Sequence, residues 1–347
     1  MIIARWLVRG TGRTRPAVVL ALVLLVGAAG ASVAQAAGVQ DYSYAGPKST
    51  PTAPSGEKPQ SKLWFNDGSW WGWMWSTTKA AYDIQQFDVT TGSWIDSGVA
   101  IDTRAKSLGD VLWDGTHLYV LSAIRQNGAT TDPRVRLYRF SYHPASQTYS
   151  LDSGYPVTIF TPASSDDLEA AVLDEDSLGT LWATFTYANE PGNCPTMQNC
   201  PAGRSVYVTH SQATDDSWIT PFVLPFSNAA NVSGDDISTI VHFQDKIGVL
   251  FSDQSTDQLG NTADYFAVHV DGAADGNWTE ETPMIGPLMA DDHLNLKAAP
   301  DGRVYAAVKT SRNDAFPPNP VDPMVMLLER TTDGVWHQAV FDTVASQ

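Results

Sequence analysis

The sequence predicts an all-β chain in which one four-strand antiparallel unit is repeated five times. Two observations carry this. Beyond position 60, no stretch of twelve or more residues keeps a 3.6-residue hydrophobic period, whereas short β-branched and aromatic runs alternate with Gly, Asp, Asn and Pro. In addition, an aromatic residue lands just after a tight polar turn five times, at Trp94, Tyr149, Trp218, Trp278 and Trp336, with spacings of 55, 69, 60 and 58 residues.

Each unit can be laid out strand by strand. The first strands are Lys62–Phe65, Asp110–Trp113, Glu169–Leu173, Ser238–Phe243 and His293–Ala298. The second strands begin at Trp70, Leu118, Leu181, Ile247 and Val304, mostly behind a turn such as Asn66-Asp-Gly or Asp301-Gly. The third strands are Tyr82–Phe87, Val135–Tyr142, Ser205–His210, Tyr265–Val270 and Met324–Leu328, and the fourth start at the aromatic landings. A single such meander cannot bury both of its apolar faces, so the copies must stack. Radial stacking of four-stranded sheets around a channel is a β-propeller. A sandwich or jelly roll of this size requires no five equal units. Five blades are expected, at about 61–101, 107–160, 166–225, 235–285 and 291–345. Six or seven follow only if the chain is clipped or the lead-in adds strands.

The N-terminus reads as a secretory address. Arg5, Arg9, Arg13 and Arg15 precede an apolar run from Ala17 to about Ala31 and a small-x-small site at Ala34-Gln35-Ala36, so residues 1–36 are expected to be a cleaved signal peptide. The alternative is an uncleaved anchor. Residues 37–60 form a Pro/Ser/Thr-rich lead-in. The whole chain carries a net charge of −17, and without the four leader arginines 17 basic residues stand against 38 acidic ones. Such an acidic, soluble, secreted protein is a poor partner for nucleic acid or an anionic membrane. A monomer is expected. Cys194 and Cys200, on a Pro/Asn/Gly loop, are expected to form a local disulfide in an oxidising compartment.

The turn Thr331-Thr-Asp-Gly-Val-Trp336 resembles a shortened Asp-box, the Ser/Thr-x-Asp-x-Gly-x-Thr-Trp hairpin of sialidase-type propellers, and the other four copies are more degenerate. The resemblance implies blade architecture. Sialidases grip a carboxylate with three arginines, and no such triad can be assembled from this sequence. A weaker resemblance is to the extracellular five-bladed glycosidases, which place three carboxylates around the central channel.

In a propeller the first strands line the channel, so their entries are the places to search. Three carry an acidic pair: Ser165-Asp-Asp-Leu-Glu169, Gly234-Asp-Asp-Ile-Ser238 and Ala290-Asp-Asp-His-Leu-Asn295. The catalytic candidates are Asp110, Glu169, Asp236, Asp292 and His293, since paired carboxylates can divide acid and base roles when their environments differ. The ligand-binding candidates are Lys62, Asp167, Asn295, Lys297 and the aromatic Trp70. Asp-Asp pairs also cap turns where strands begin, which gives each of them a structural reading. No cofactor or metal is expected; the acidic stretch Ser252–Asp264 offers oxygen ligands of the kind calcium takes, without EF-hand spacing. Three functions compete: recognition of an extracellular glycan or protein at one channel mouth, a glycoside hydrolase or polysaccharide lyase using the channel carboxylates and His293, and a non-catalytic protein-interaction scaffold.

Overall fold

The computed structural model describes residues 59–124, 132–162, 168–188 and 204–346. The expected signal peptide, most of the expected lead-in, Asp167, Cys194 and Cys200 lie outside them. No helix among the described residues is long and apolar enough to cross a membrane.

The described residues form five antiparallel sheets, each continuous in sequence. Sheet 1 is β1 (Leu63–Asn66), β2 (Ser69–Ser76), β3 (Ala81–Asp88) and β4 (Ser93–Asp102). Sheet 2 is β5 (Ser107–Trp113), β6 (His117–Ile124), β7 (Val135–His143) and β8 (Thr148–Leu151), with a fifth strand, β9 (Val157–Phe160), also paired to β7. Sheet 3 is β10 (Val172–Glu175), β11 (Leu181–Ala188), β12 (Arg204–His210) and the two-residue β13 (Phe222–Val223). Sheet 4 is β14 (Ser238–Phe243), β15 (Lys246–Asp253), β16 (Thr262–Val270) and β17 (Trp278–Gly286). Sheet 5 is β18 (Leu294–Ala298), β19 (Val304–Lys309), β20 (Pro323–Arg330) and β21 (Trp336–Thr343). The β1–β2 connection shows the local logic: Asp67 and Gly68 both take positive φ (49° and 76°), as a two-residue hairpin turn requires.

Apolar cores fill the spaces between successive sheets. Trp64, Trp71, Trp73 and Ile84 meet Val111, Leu118, Val120 and Phe140 between sheets 1 and 2. Leu121, Leu137 and Ile159 meet Leu173, Ala183 and Phe185 between sheets 2 and 3, and Val206 and Val208 meet Val249 and Phe251 between sheets 3 and 4. Leu250, Phe266 and Met284 meet Leu294, Val308 and Leu328 between sheets 4 and 5. The flat stacking of one sheet on the next is what makes bulky aromatics the natural filling. Residues from or beside all five first strands surround one cavity of about 200 Å³: Pro59 and Ser61, Asp110–Leu112, Val172–Asp174, Thr239–His242 and Asn295–Ala298. This is a propeller-type arrangement of five sheets.

Close packing makes one glycine consequential. A Cβ added at Gly248 on β15 would lie 2.1 Å from Phe266 Cζ and 2.9 Å from Phe243 Cε1. Gly248→Ala is therefore expected to destabilise the protein by about 1–3 kcal/mol, seen as a lower midpoint in thermal denaturation.

Candidate functional site

The first strands carry carboxylates at two levels, and the levels differ in character. Inside the channel Asp110 is a tie between sheets. Its Oδ1 accepts from Ser61 N at 2.6 Å and its Oδ2 from Leu173 N at 2.9 Å, so one side chain of sheet 2 joins the segment leading into sheet 1 to sheet 3. Asp174 repeats the device one sheet further on, with Oδ2 accepting from His242 N at 2.7 Å. Burial pushes the Asp110 carboxyl up to about 7, against the pull of those two N–H groups and the Lys62 charge. Lys62 is buried as well. Its Nζ donates to Gln60 Oε1 at 2.8 Å and to Gly109 O, and stands 4.9 Å from the Trp73 ring. Gln60 Nε2 in turn donates to Ala171 O at 2.9 Å. Asp110 and Lys62 are thus both buried, and their polar atoms satisfy backbone groups where neighbouring sheets converge. Asp110→Ala would leave two N–H groups in the ring without an acceptor. At about 1–3 kcal/mol for each group left unsatisfied, a marked loss of thermal stability is expected, measurable by calorimetry.

Asp236 is likewise internal. It accepts from Ser233 N (2.6 Å), Ser252 Oγ (2.8 Å), and Gln254 N and Nε2 (both 3.1 Å), and burial raises its carboxyl to about 7. It fastens the entry of β14 to the end of β15. Beside it lies Asp264 on β16, opposite Ser252 in register. Asp264 is 1% exposed, and neither of its carboxylate oxygens has a hydrogen-bond partner. Burial and the charges of Asp236 and Asp291 hold its pKa well above the usual carboxylate range.

The entry level of sheets 3, 4 and 5 is different. His293, 53% exposed at its side chain, precedes β18 rather than belonging to it. Its Nδ1 lies 2.6 Å from Asp291 Oδ1 and 2.8 Å from Asp292 Oδ1, so one imidazole nitrogen is shared by two carboxylates. Asp291 is buried and is held from behind by Lys309 Nζ at 2.5 Å and Ser311 Oγ at 3.2 Å. Asp235, half-buried at the entry of β14, has its carboxyl raised first by burial and then by the negative charge of Asp292. The positive charge of Arg204 acts on Asp235 in the opposite sense, and Arg204 is paired with buried Glu169 at 3.4 Å. Of the catalytic candidates, then, Asp292 and His293 come together at the surface of this mouth. Glu169 stands behind it in an ion pair, and Asp110 and Asp236 do not reach it.

Asn295 and Lys297 alternate into the channel cavity, Asn295 Nδ2 donating to Pro59 O at 3.5 Å and the Lys297 charge acting on Asp174. Trp70 is exposed beside the β1–β2 hairpin turn, its ring edge-to-face with Phe65 at 5.4 Å. The residues the sequence reading missed are Asp291, Asp235, Lys309 and Arg204. A period-2 argument held a signal, because the two members of each Asp-Asp pair lie on opposite faces of the extended chain. In the two described pairs one member is therefore buried, Asp236 and Asp291, and the other, Asp235 and Asp292, is the surface group. Asp291, Asp292 and His293 are the only set of three among the described residues whose ligand atoms converge within 4.8 Å. Of the acidic stretch Ser252–Asp264, Asp257 instead caps its own turn by accepting from Leu259 N and Asn261 N. Every described arginine is paired with a carboxylate of its own vicinity, including Arg104 with Asp102, Arg139 with Asp152 and Asp215, and Arg330 with Glu281. Arg134 and Arg136 pair with Asp132, Arg303 with Asp301 and Glu329, and Arg312 with Asp322.

No protein-family model matches the chain, and no curated protein does. Similar solved structures include an α-L-arabinofuranosidase of Lactobacillus brevis, 12% identical over 79% of this chain and 91% of that one, with a TM-score of 0.43. An α-L-arabinanase of Cellvibrio cellulosa is 11% identical over 81% of this chain and 96% of that one, with a TM-score of 0.44. A polysaccharide lyase is 10% identical over 87% and 74%, with a TM-score of 0.45.

Proposed function

We propose that this protein is a secreted carbohydrate-active enzyme that hydrolyses an extracellular glycan at the entry mouth of a five-bladed propeller. The observation that supports this reading is the contrast between two surface carboxyls on adjacent sheets. Asp235 is pushed towards its protonated form by burial and by the charge of Asp292, while Asp292 is held as a partner of His293. A carboxyl biased towards its protonated form beside a second carboxylate is the groundwork of acid–base chemistry on a glycosidic bond. In this scheme the Asp235 carboxyl gives its proton to the departing sugar oxygen as the glycosidic C–O bond breaks, and the Asp292 carboxylate takes a proton from the water that adds to the anomeric carbon from the other side. His293, oriented by buried Asp291 and Lys309, positions Asp292.

Incubation of the purified protein with a panel of neutral and charged polysaccharides, alongside a glycan array, tests the proposal. Release of shorter oligosaccharides is expected, and it should disappear in Asp292→Asn. Binding without cleavage would instead favour recognition alone, a reading consistent with the purely structural bonding of Asp110 and Asp236. Neither binding nor cleavage of any glycan would overturn both.

A further inference from the structure

The apolar cores described above join each sheet to the next from sheet 1 to sheet 5. The junction of sheet 5 with sheet 1 holds none among the described residues. The face of sheet 1 turned away from sheet 2 exposes Leu63, Phe65 and Trp70, at 44, 53 and 49%. Phe65 and Trp70 are opposite in register, so they form one aromatic step on that face. Across the junction, Asn295, Ala307 and Leu327 stand in one row on the face of sheet 5 turned away from sheet 4, and Leu327 is 41% exposed. At the inner end of the junction, Pro59 O accepts from Asn295 Nδ2.

We propose that this junction is the docking groove of residues 44–58 of the same chain, which lie outside the described residues. Where the described chain begins is the first argument. Pro59 sits against sheet 5 while Ser61 is already bonded to Asp110 of sheet 2, so the described chain begins at the inner end of this junction. Reach is the second. Four strands spaced at about 4.8 Å put the outer strand roughly 14 Å from the inner one. Fifteen residues at about 3.1 Å each extend to about 45 Å, enough to cross the sheet face from channel to rim. Composition is the third. Tyr44-Ala-Gly-Pro-Lys-Ser-Thr-Pro-Thr-Ala-Pro-Ser-Gly-Glu-Lys58 carries Pro47, Pro51 and Pro54. Pro-rich segments dock on aromatic-lined grooves at little entropic cost, because their extended conformation is already restricted. Covalent attachment beside the groove makes the docking intramolecular, so modest contacts suffice.

Hydroxyl-radical footprinting of the full chain, read by mass spectrometry, tests this, with sedimentation reporting the mass. In the unaltered chain Phe65 and Trp70 are expected to be protected, and the protein to be monomeric. In a chain carrying Pro47→Asp, Pro51→Asp and Pro54→Asp, their oxidation is expected to rise at least about threefold. Buried Trp73 and Ile84 should stay protected in both, which shows the sheets intact. Full oxidation of Phe65 and Trp70 in the unaltered chain would overturn the proposal. So would protection that the triple variant leaves unchanged, or protection lost on dilution together with a dimer mass, which would assign the groove to a second copy.

Discussion

Asp235→Asn is expected to lower kcat for cleavage of an unactivated glycan by about 10²–10⁴-fold, the usual contribution of a positioned proton donor. The effect should depend on the leaving group. An aryl glycoside that departs as a weakly basic phenolate needs little protonation, so its cleavage should fall far less than that of the natural polymer. The pH profile provides a second readout. A proton donor must hold its proton, so the activity of the unaltered protein should decline as pH rises through the raised pKa of Asp235. That alkaline decline should be absent in Asp235→Asn. Equal losses on activated and unactivated substrates, with the decline still in place, would remove Asp235 from the role of acid.

Asp264→Asn is expected to stabilise the protein, and to do so more as pH rises. Asp264 has no hydrogen-bond partner for either oxygen, and its surroundings include Asp236 and Asp291. Its folded-state pKa is raised, so the folded chain binds its proton more tightly than the unfolded chain does. The stability linked to that proton is fully present below the unfolded value, near 3.9, and is lost progressively as pH rises above it towards the folded value. Asparagine keeps the shape and cannot ionise. At pH 4 the two proteins should melt together, whereas at pH 8 the variant should melt higher. A gain of 1 kcal/mol corresponds to about 2–4 °C for a chain of 150–250 residues. Parallel melting curves across that range would show that the carboxyl is not held in its protonated form.

Repetition made the fold legible. Trp94, Tyr149, Trp278 and Trp336 all stand at the first or second position of an outer strand, because a polar turn followed by an aromatic is a local signal that needs no tertiary information. The third repeat shows where that signal weakens: Trp218 makes only an isolated bridge with Ser211, and the outer strand shrinks to Phe222–Val223. The site was less legible for a reason that is also physical. Whether a carboxylate at a strand entry faces solvent or ties a neighbouring backbone depends on which sheet lies next to it. Asp110 was aligned with the entry residues, yet its partners, Ser61 ahead of sheet 1 and Leu173 in sheet 3, are 49 and 63 positions away. Asp292 and Asp236 look alike in sequence, both being second members of Asp-Asp pairs. Only the side chains contributed by Ser252, Gln254 and His293 separate a buried fastener from a surface group.

The hydrogen bond from Gln60 to Ala171 joins residues 111 positions apart, and its neighbours Leu108, Ala123 and Leu168–Ala171 leave no room for a water molecule around it. Contacts of such long sequence separation form late, since the loop they close must first be ordered. The first described residues to be synthesised therefore settle only once the third sheet has been made. A chain released vectorially, N-terminus first, would thus keep that stretch uncommitted until the 111 residues that follow it had emerged.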